Sequence, residues 1–440
     1  MQIDETSLKD LSIFKGVQNV FGLVNHCTSH IGVEKLKNAL RNPPNKFEEL
    51  LEVQNAVKYW EQHLETWETS ISNGTLVMLQ GFFETSDGLQ YKPSTWMFNV
   101  DTWLQKLFNK NAFSLLQFSV FHLIDLVHGL NQLIQIKDEK TPILVQNAYD
   151  VFEHFLALDS SKELLKLDRN APLKSLLHAG YQARRTLKSQ IGIVMQYYGQ
   201  LDAWHSMAKA NAALGLIMPQ LIYNDKVSLK AEGLFHPLLK KAVSYDIELG
   251  NLQNLLFLTG ANMSGKSTLL RSIGVSALLA HVGMGVPAKA YRISFLEGIV
   301  SNMQIEDDIF KGESYFYAEV QRVKQTALKI KDSSRYLVLM DELFKGTNVH
   351  DAYECSKAVI QLLARHQNSL MALSTHLYEL YEELKTESRI TFKYLFTQID
   401  KEGKYTFTYQ LKEGVSNDKI GFLVLKQEGV LDILGMRDEG

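Results

Sequence analysis

The sequence predicts two domains of different class, an all-α half over residues 1–222 followed by an α/β half over residues 223–440. Three observations carry that division. Apolar residues in the first half recur at three- and four-residue spacing with few prolines, the pattern of helices that bury one face. In the second half the period changes. Short apolar runs at 255–259, 336–340 and 369–374 alternate with helical stretches, as in a parallel sheet with helical crossovers. The first of those runs, Leu255-Leu256-Phe257-Leu258-Thr259, feeds directly into a glycine-rich turn and then another helical stretch.

In chain order, Val33, Leu36, Ala39 and Leu40 share one helical face, and Asn42-Pro43-Pro44-Asn45 stops that helix. The pattern restarts from Phe47 to Trp60. Ser114 to Ile136 is long and fairly apolar. His122, Asp125, His128, Gly129, Asn131 and Gln132 interrupt it, so a buried amphipathic helix is expected and no membrane span. Towards the end, residues 392–399 and 405–411 flank Lys401-Glu-Gly-Lys404 as a β-hairpin with a glycine turn. There is no internal repeat and no low-complexity segment.

Composition narrows the function classes. The 440 residues are 45% apolar, ample for a core, and the net charge of −3 excludes a global basic field for nucleic acid. Any DNA contact has to come from a local patch, such as Arg184-Arg185 with Lys188, or from a groove made by two subunits. A solvated helix face is the plainer reading of that patch. Only Cys27 and Cys355 occur, too few for a disulfide framework and in keeping with a reducing cytoplasm. The start, Met1-Gln-Ile-Asp-Glu-Thr, is acidic and has no signal-peptide pattern.

The chemistry concentrates in the second half. Gly260-Ala261-Asn262-Met263-Ser264-Gly265-Lys266-Ser267-Thr268 fits G-x-x-x-x-G-K-[ST] between a strand and a helix. Such a turn aims several backbone N–H groups and a helix N-terminus at one point, which suits a polyphosphate. Lys266 then reaches the β- and γ-phosphates of a nucleoside triphosphate, and the Ser267 hydroxyl ligates Mg²⁺. A second apolar run, Tyr336-Leu-Val-Leu-Met, ends in Asp341-Glu342. In a P-loop fold the first acid serves Mg²⁺ and the second polarises the attacking water. Ser369-Leu-Met-Ala-Leu-Ser-Thr375-His376 reads as a further core strand, delivering His376 to the carboxyl edge of the sheet. His376 there is either a γ-phosphate sensor or a satisfied core residue.

At these residues the chain resembles the MutS family of DNA mismatch-repair ATPases, within the ABC-type superfamily. The strings that carry the likeness are Thr259–Thr268, Asp307-Asp308 with Gly312-Glu-Ser314-Tyr-Phe316-Tyr-Ala-Glu319, and Leu339-Met-Asp-Glu-Leu-Phe-Lys-Gly-Thr347. To these add Thr375-His376-Leu-Tyr-Glu379-Leu380 and Gly414-Val-Ser-Asn-Asp-Lys-Ile-Gly421, so that the match covers roughly residues 225–430. Upstream, Thr28-Ser-His-Ile-Gly32 through Val57 resembles the opening of the family's core, or lever, domain. The resemblance implies an ABC-type P-loop ATPase domain preceded by an all-α lever domain, working as a homodimer on DNA with no membrane. Ser314 would act in trans on the partner's γ-phosphate, with Asp341 as the Mg²⁺ acid, Glu342 the base and His376 the switch. Ser314 also reads as a helix N-cap, and both can hold. Tyr409 stands at the family's adenine-stacking position, where an ordinary strand tyrosine is equally admissible.

The departures matter as much. Glu313 replaces a usual arginine, and Phe344-Lys345 replaces a usual Gly-Arg. The mismatch-reading and connector domains are expected to be absent, and the DNA-gripping clamp reduced. Phe82-Phe83-Glu84 fits the family's F-x-E wedge string but falls in the helical region. The expected DNA is therefore a branched structure or duplex held non-specifically, in preference to a single mispair. Two rival readings remain: a nucleotide-gated interaction module without turnover, and an ABC-type ATPase serving a non-DNA partner.

Overall fold

A computed structural model describes residues 1–67, 69–84, 110–224, 226–303, 315–331, 334–399, 405–416 and 421–434. The chain divides into two compact units. One gathers Met1–Leu23, Ala39–Leu51 and Asn211–Gly440; the other gathers Val24–Asn38 and Glu52–Ala210. Compactness therefore follows several crossings of the chain, where the sequence pattern points to one cut at residue 222. The N-terminal residues join the second half because Gln2–Ile3 form a strand, β1, on the edge of its main sheet. Two residues are too few for any periodicity to reveal.

Among the described residues the α/β unit holds eleven strands: β1; β2 (Gln220–Ile222), β3 (Ser228–Leu234), β4 (Tyr245–Gly250), β5 (Leu255–Gly260), β6 (Ala290–Ser294), β7 (Gly298–Asn302), β8 (Tyr336–Asp341), β9 (Leu370–Ser374), β10 (Ile390–Ile399) and β11 (Tyr405–Glu413). Seven of them form one sheet in the order β1-β7-β8-β9-β5-β10-β11. All its pairings are parallel except the closing β10–β11 hairpin. A smaller sheet runs β2-β6-β3-β4. The expected apolar runs are β5, β8 and β9, and they are buried throughout because helices cover both faces of a parallel sheet. Their core comprises Leu255, Phe257, Val338, Met340, Met371 and Leu373, packed with Ile360, Leu363 and Leu380. On the sheet's other face the helix Lys266–His281 is buried along nearly its whole length. Gly274 on it has no room for a side chain, since a Cβ would lie 2.5 Å from Leu11 and 2.6 Å from Leu339.

Register is what makes a site. Ser374 pairs with Leu258 of β5 and also with Asp341 of β8. The three central strands thus end at one level, and residues just past each of them emerge side by side.

The helical unit includes the helices Asn73–Glu84, Lys110–Ile134, Ile143–Leu156, Asp159–Leu165 and Leu173–Thr186. Lys110–Ile134 is the long helix expected around 114–136. Among the described residues no helix is long and apolar enough to cross a membrane. Phe82 and Phe83 are buried, 6% and 5% exposed, and the Arg184 guanidinium lies 5.3 Å over the Phe82 ring. Both phenylalanines are core side chains, which leaves no wedge to present to a base stack.

One buried carboxylate organises this unit. Asp202 is fully buried and accepts from the Thr28 and Ser29 backbone N–H groups (3.0 and 2.8 Å) and from both hydroxyls (3.0 and 2.6 Å). These residues precede the helix His30–Arg41, so the charge meets orphan donors at a helix N-terminus. Gly32 lets Asp202 approach, because a Cβ there would sit 2.2 Å from its Oδ2. Asp202→Ala leaves four donors without that acceptor, the two of Ser29 buried and the two of Thr28 on an exposed residue. The expected loss is about 3 kcal/mol, read as a fall of roughly 6–10 °C in the melting of this unit; Asp202→Asn should lose less.

Candidate active site

The glycine loop begins where β5 ends. Gly260 (φ +142°) lies so close to the β10 strand that a Cβ would be 3.1 Å from the Leu395 carbonyl. Gly265 (φ +103°) caps the following helix in a left-handed conformation that favours glycine. Between them Ala261 and Ser264 are buried, Asn262 is exposed, and Met263 (φ +66°) is 74% exposed. The Ser264 hydroxyl is buried and has no hydrogen-bond partner among the described residues. Thr268 lies in the first turn of the helix that starts at Lys266, so its end presents free N–H groups to the loop.

Lys266 is 5% exposed and donates to the carbonyls of Gly260 (2.9 Å) and Ala261 (3.0 Å). Burial lowers its pKa, and the negative charges of Glu342 and Asp341 oppose that shift. Ser267, one residue on, donates through Oγ to Asp341 Oδ2 at 2.5 Å, although the two are 74 residues apart. The other Asp341 oxygen accepts from the Ser374 hydroxyl. A hydroxyl and a carboxylate in contact are hard oxygen donors, the set that Mg²⁺ prefers. The loop's N–H groups, the buried lysine and the unmatched Ser264 hydroxyl fit a polyphosphate equally well.

Glu342 leaves β8 at φ +60° and is held there by its N–H, which donates to the Ser374 carbonyl at 2.9 Å. Its carboxylate meets His376 Nε2 at 2.9 Å and Lys345 Nζ at 3.1 Å. Burial alone would raise the Glu342 carboxyl; the hydrogen bonds and charges of His376 and Lys345 outweigh it and hold the group at about 2. His376 follows β9, where the Thr375 hydroxyl accepts the Leu377 N–H (3.0 Å) and turns the chain. Its Nε2 also lies 3.4 Å from Lys266 Nζ. A ring nitrogen that donates to Glu342 has no lone pair for Lys266, so that second contact is the weaker one.

Five of the sequence-predicted residues, Lys266, Ser267, Asp341, Glu342 and His376, therefore meet at one sheet edge. In comparison with known proteins, residues 256–434 match the family model for MutS domain V. Over that stretch the chain is similar to the MutS family. It is 26% identical over 255 residues to the DNA mismatch repair protein MutS of Oceanobacillus iheyensis, covering 56% of this chain and 29% of that protein. It is 28% identical over 276 residues to the probable DNA mismatch repair protein Msh6 of Drosophila melanogaster, covering 60% of this chain and 23% of that one. The matched stretch thus spans less than a third of the length of either relative.

Within the matched stretch, Tyr409 sits at a register shift in the β10–β11 hairpin, with φ +55°. The irregularity turns its ring toward the loop, 3.3 Å from where a Gly265 Cβ would be. Tyr245 borders the same glycine, and burial beside Tyr409 pushes its hydroxyl up to about 12. Ser314, with Asp307, Asp308, Gly312 and Glu313, lies outside the described residues. The Phe344 departure has a physical account. It occupies a left-handed position (φ +58°) that suits the family's usual glycine, and its buried ring packs on Phe316 at 5.8 Å. Sequence reasoning assigned no role to Ser374, Tyr245 or Glu319. Ser374 had one signal available: it is the last strand residue before Thr375-His376.

Proposed function

We propose that this chain is a MutS-type ATPase whose nucleotide cycle controls engagement of DNA. The observation that carries the reading is the convergence of Lys266, Ser267, Asp341, Glu342 and His376, with Ser267 and Asp341 in hydrogen-bond contact. In this reading the phosphates of ATP lie against residues 260–268, with Lys266 neutralising the β- and γ-oxygens. Ser267 and Asp341 would hold Mg²⁺, which supplies further positive charge to the transferring phosphoryl group. Glu342 orients the attacking water, and His376, between Glu342 and Lys266, reports the state of the γ-phosphate. Tyr409 offers its ring to the adenine.

Two chains would form a homodimer of ABC type, each Ser314 completing the partner's site, and the helical domain would take up duplex or branched DNA. The setting is DNA maintenance in the cytoplasm. The test is mass measurement with and without a slowly hydrolysed ATP analogue, followed by DNA binding at fixed salt. A nucleotide-dependent dimer that favours four-way or unselected duplex is the expected result. A protein monomeric under all conditions defeats the dimer, and preference for a mispair over homoduplex defeats the substrate assignment.

A second reading has one observation in its favour. In a nucleotide-gated module without turnover, Phe344 would mark an altered loop, since its buried ring stands at a left-handed position that suits the family's usual glycine. Steady-state ATP hydrolysis separates the two readings.

A further inference from the structure

Glu319 lies outside the convergent cluster, in the helix Tyr315–Ile330, and is 4% exposed. Its two carboxylate oxygens accept the backbone N–H groups of Lys345 and Gly346, each at 3.0 Å. A carboxylate this deeply buried is costly unless its oxygens are bonded, and two successive amides meet both of them. What they hold is the loop after β8, and that loop carries strain. Glu342 and Phe344 both sit in the left-handed region, which disfavours any residue with a Cβ and persists only where the surroundings enforce it. Three contacts enforce it here: the Glu342 N–H on Ser374, the Phe344 ring on Phe316, and the pair of amides on Glu319. The start of the helix also touches the loop directly. A Cβ on Gly346 would lie 2.6 Å from Tyr315 Cδ1 and 2.7 Å from the Phe316 nitrogen.

From this geometry we propose that Glu319 is the positioning residue of Glu342, holding the loop in the left-handed turn that aims the Glu342 carboxylate along the carboxyl edge of the sheet. The inference rests on Glu342 being the group that orients the attacking water. Glu319 acts through the backbone and touches neither nucleotide nor water. Glutamine in its place has one acceptor and one donor, so an N–H group would face an N–H group. The loop then relaxes toward right-handed conformations and the Glu342 carboxylate loses its aim. Misplacement by about 1 Å costs on the order of 10²-fold in rate.

The test uses the whole chain and three readouts: nucleotide affinity, single-turnover hydrolysis, and amide exchange at Lys345 and Gly346. For Glu319→Gln the expected result is turnover per bound nucleotide reduced about 10- to 100-fold. Affinity should stay within about threefold of the parent, and exchange at the two amides should accelerate. Added to Glu342→Gln, the same change should lower turnover no further, because both act through one carboxylate. A merely structural role would reduce affinity alongside turnover and would add to the loss in that background. Parental turnover in Glu319→Gln, or additive loss in the double variant, overturns the proposal. Should Glu319→Gln fail to fold, Glu319→Asp decides: reduced turnover with retained affinity supports the inference, and parental turnover sinks it. A parent protein that neither binds nor hydrolyses ATP defeats the proposed function instead. Amide exchange then still judges the clamp, and unchanged protection in Glu319→Gln overturns it.

Discussion

Glu342→Gln is expected to reduce ATP turnover by about 10²–10⁴-fold, the range spanned by general acid–base groups, while nucleotide affinity stays near that of the parent. The substitution keeps the shape of the side chain and one carbonyl oxygen, but removes the charge. The state of the carboxyl makes charge the relevant property. His376 and Lys345 outweigh the effect of burial and hold this carboxyl at about 2, so it stays ionised at every working pH. A folded-state pKa lowered in this way keeps the anion above that value, and it is lost only as pH falls toward about 2. A carboxylate so acidic is a poor proton acceptor and a good anchor for a water's hydrogen bond. In the proposed role its contribution would be orientation of the nucleophile more than proton abstraction. Lost pairing to Lys345 and His376 costs little stability, since all three side chains are partly exposed. The check is hydrolysis measured beside nucleotide binding: parental turnover in the variant refutes the role, and parallel loss of binding moves Glu342 into substrate affinity.

How much of this was legible in the sequence depends on the length scale of each signal. The glycine loop, Asp341-Glu342 and His376 were readable because each ends a fully buried apolar run, and a parallel sheet aligns such ends at one edge. Which strands neighbour each other was not readable. The order β8-β9-β5 is a tertiary choice, and it is what brings Ser374 between Leu258 and Asp341. The two-residue strand β1 carries no periodicity, so the pattern places the first residues in the helical half while the fold groups them with the α/β unit. Glu319 was visible inside a motif string, yet only the fold reveals that its partners are backbone amides. Phe344 runs the other way. The sequence flags it as a departure from glycine, and the left-handed backbone with a buried ring explains how a phenylalanine is tolerated there.

Lys266→Met is expected to separate nucleotide binding from stability. The Lys266 ammonium is almost fully buried and bonded to two loop carbonyls, with burial lowering its pKa against the pull of Glu342 and Asp341. Keeping a cation there is a cost that the folded protein bears on its own, and methionine of similar length fills the same space without charge. The variant without nucleotide should therefore melt no lower than the parent. Its affinity for ATP should fall steeply. A hydrogen bond to a charged group is worth about 1.5–3 kcal/mol, which corresponds to roughly 10- to 150-fold per bond lost. The rise in melting temperature that saturating ATP gives the parent should correspondingly disappear. Thermal melts of both proteins across an ATP titration read both effects at once. A variant that melts well below the parent without nucleotide would make Lys266 a structural residue of the loop. One that retains the ATP-induced shift would remove this side chain from the phosphate site altogether.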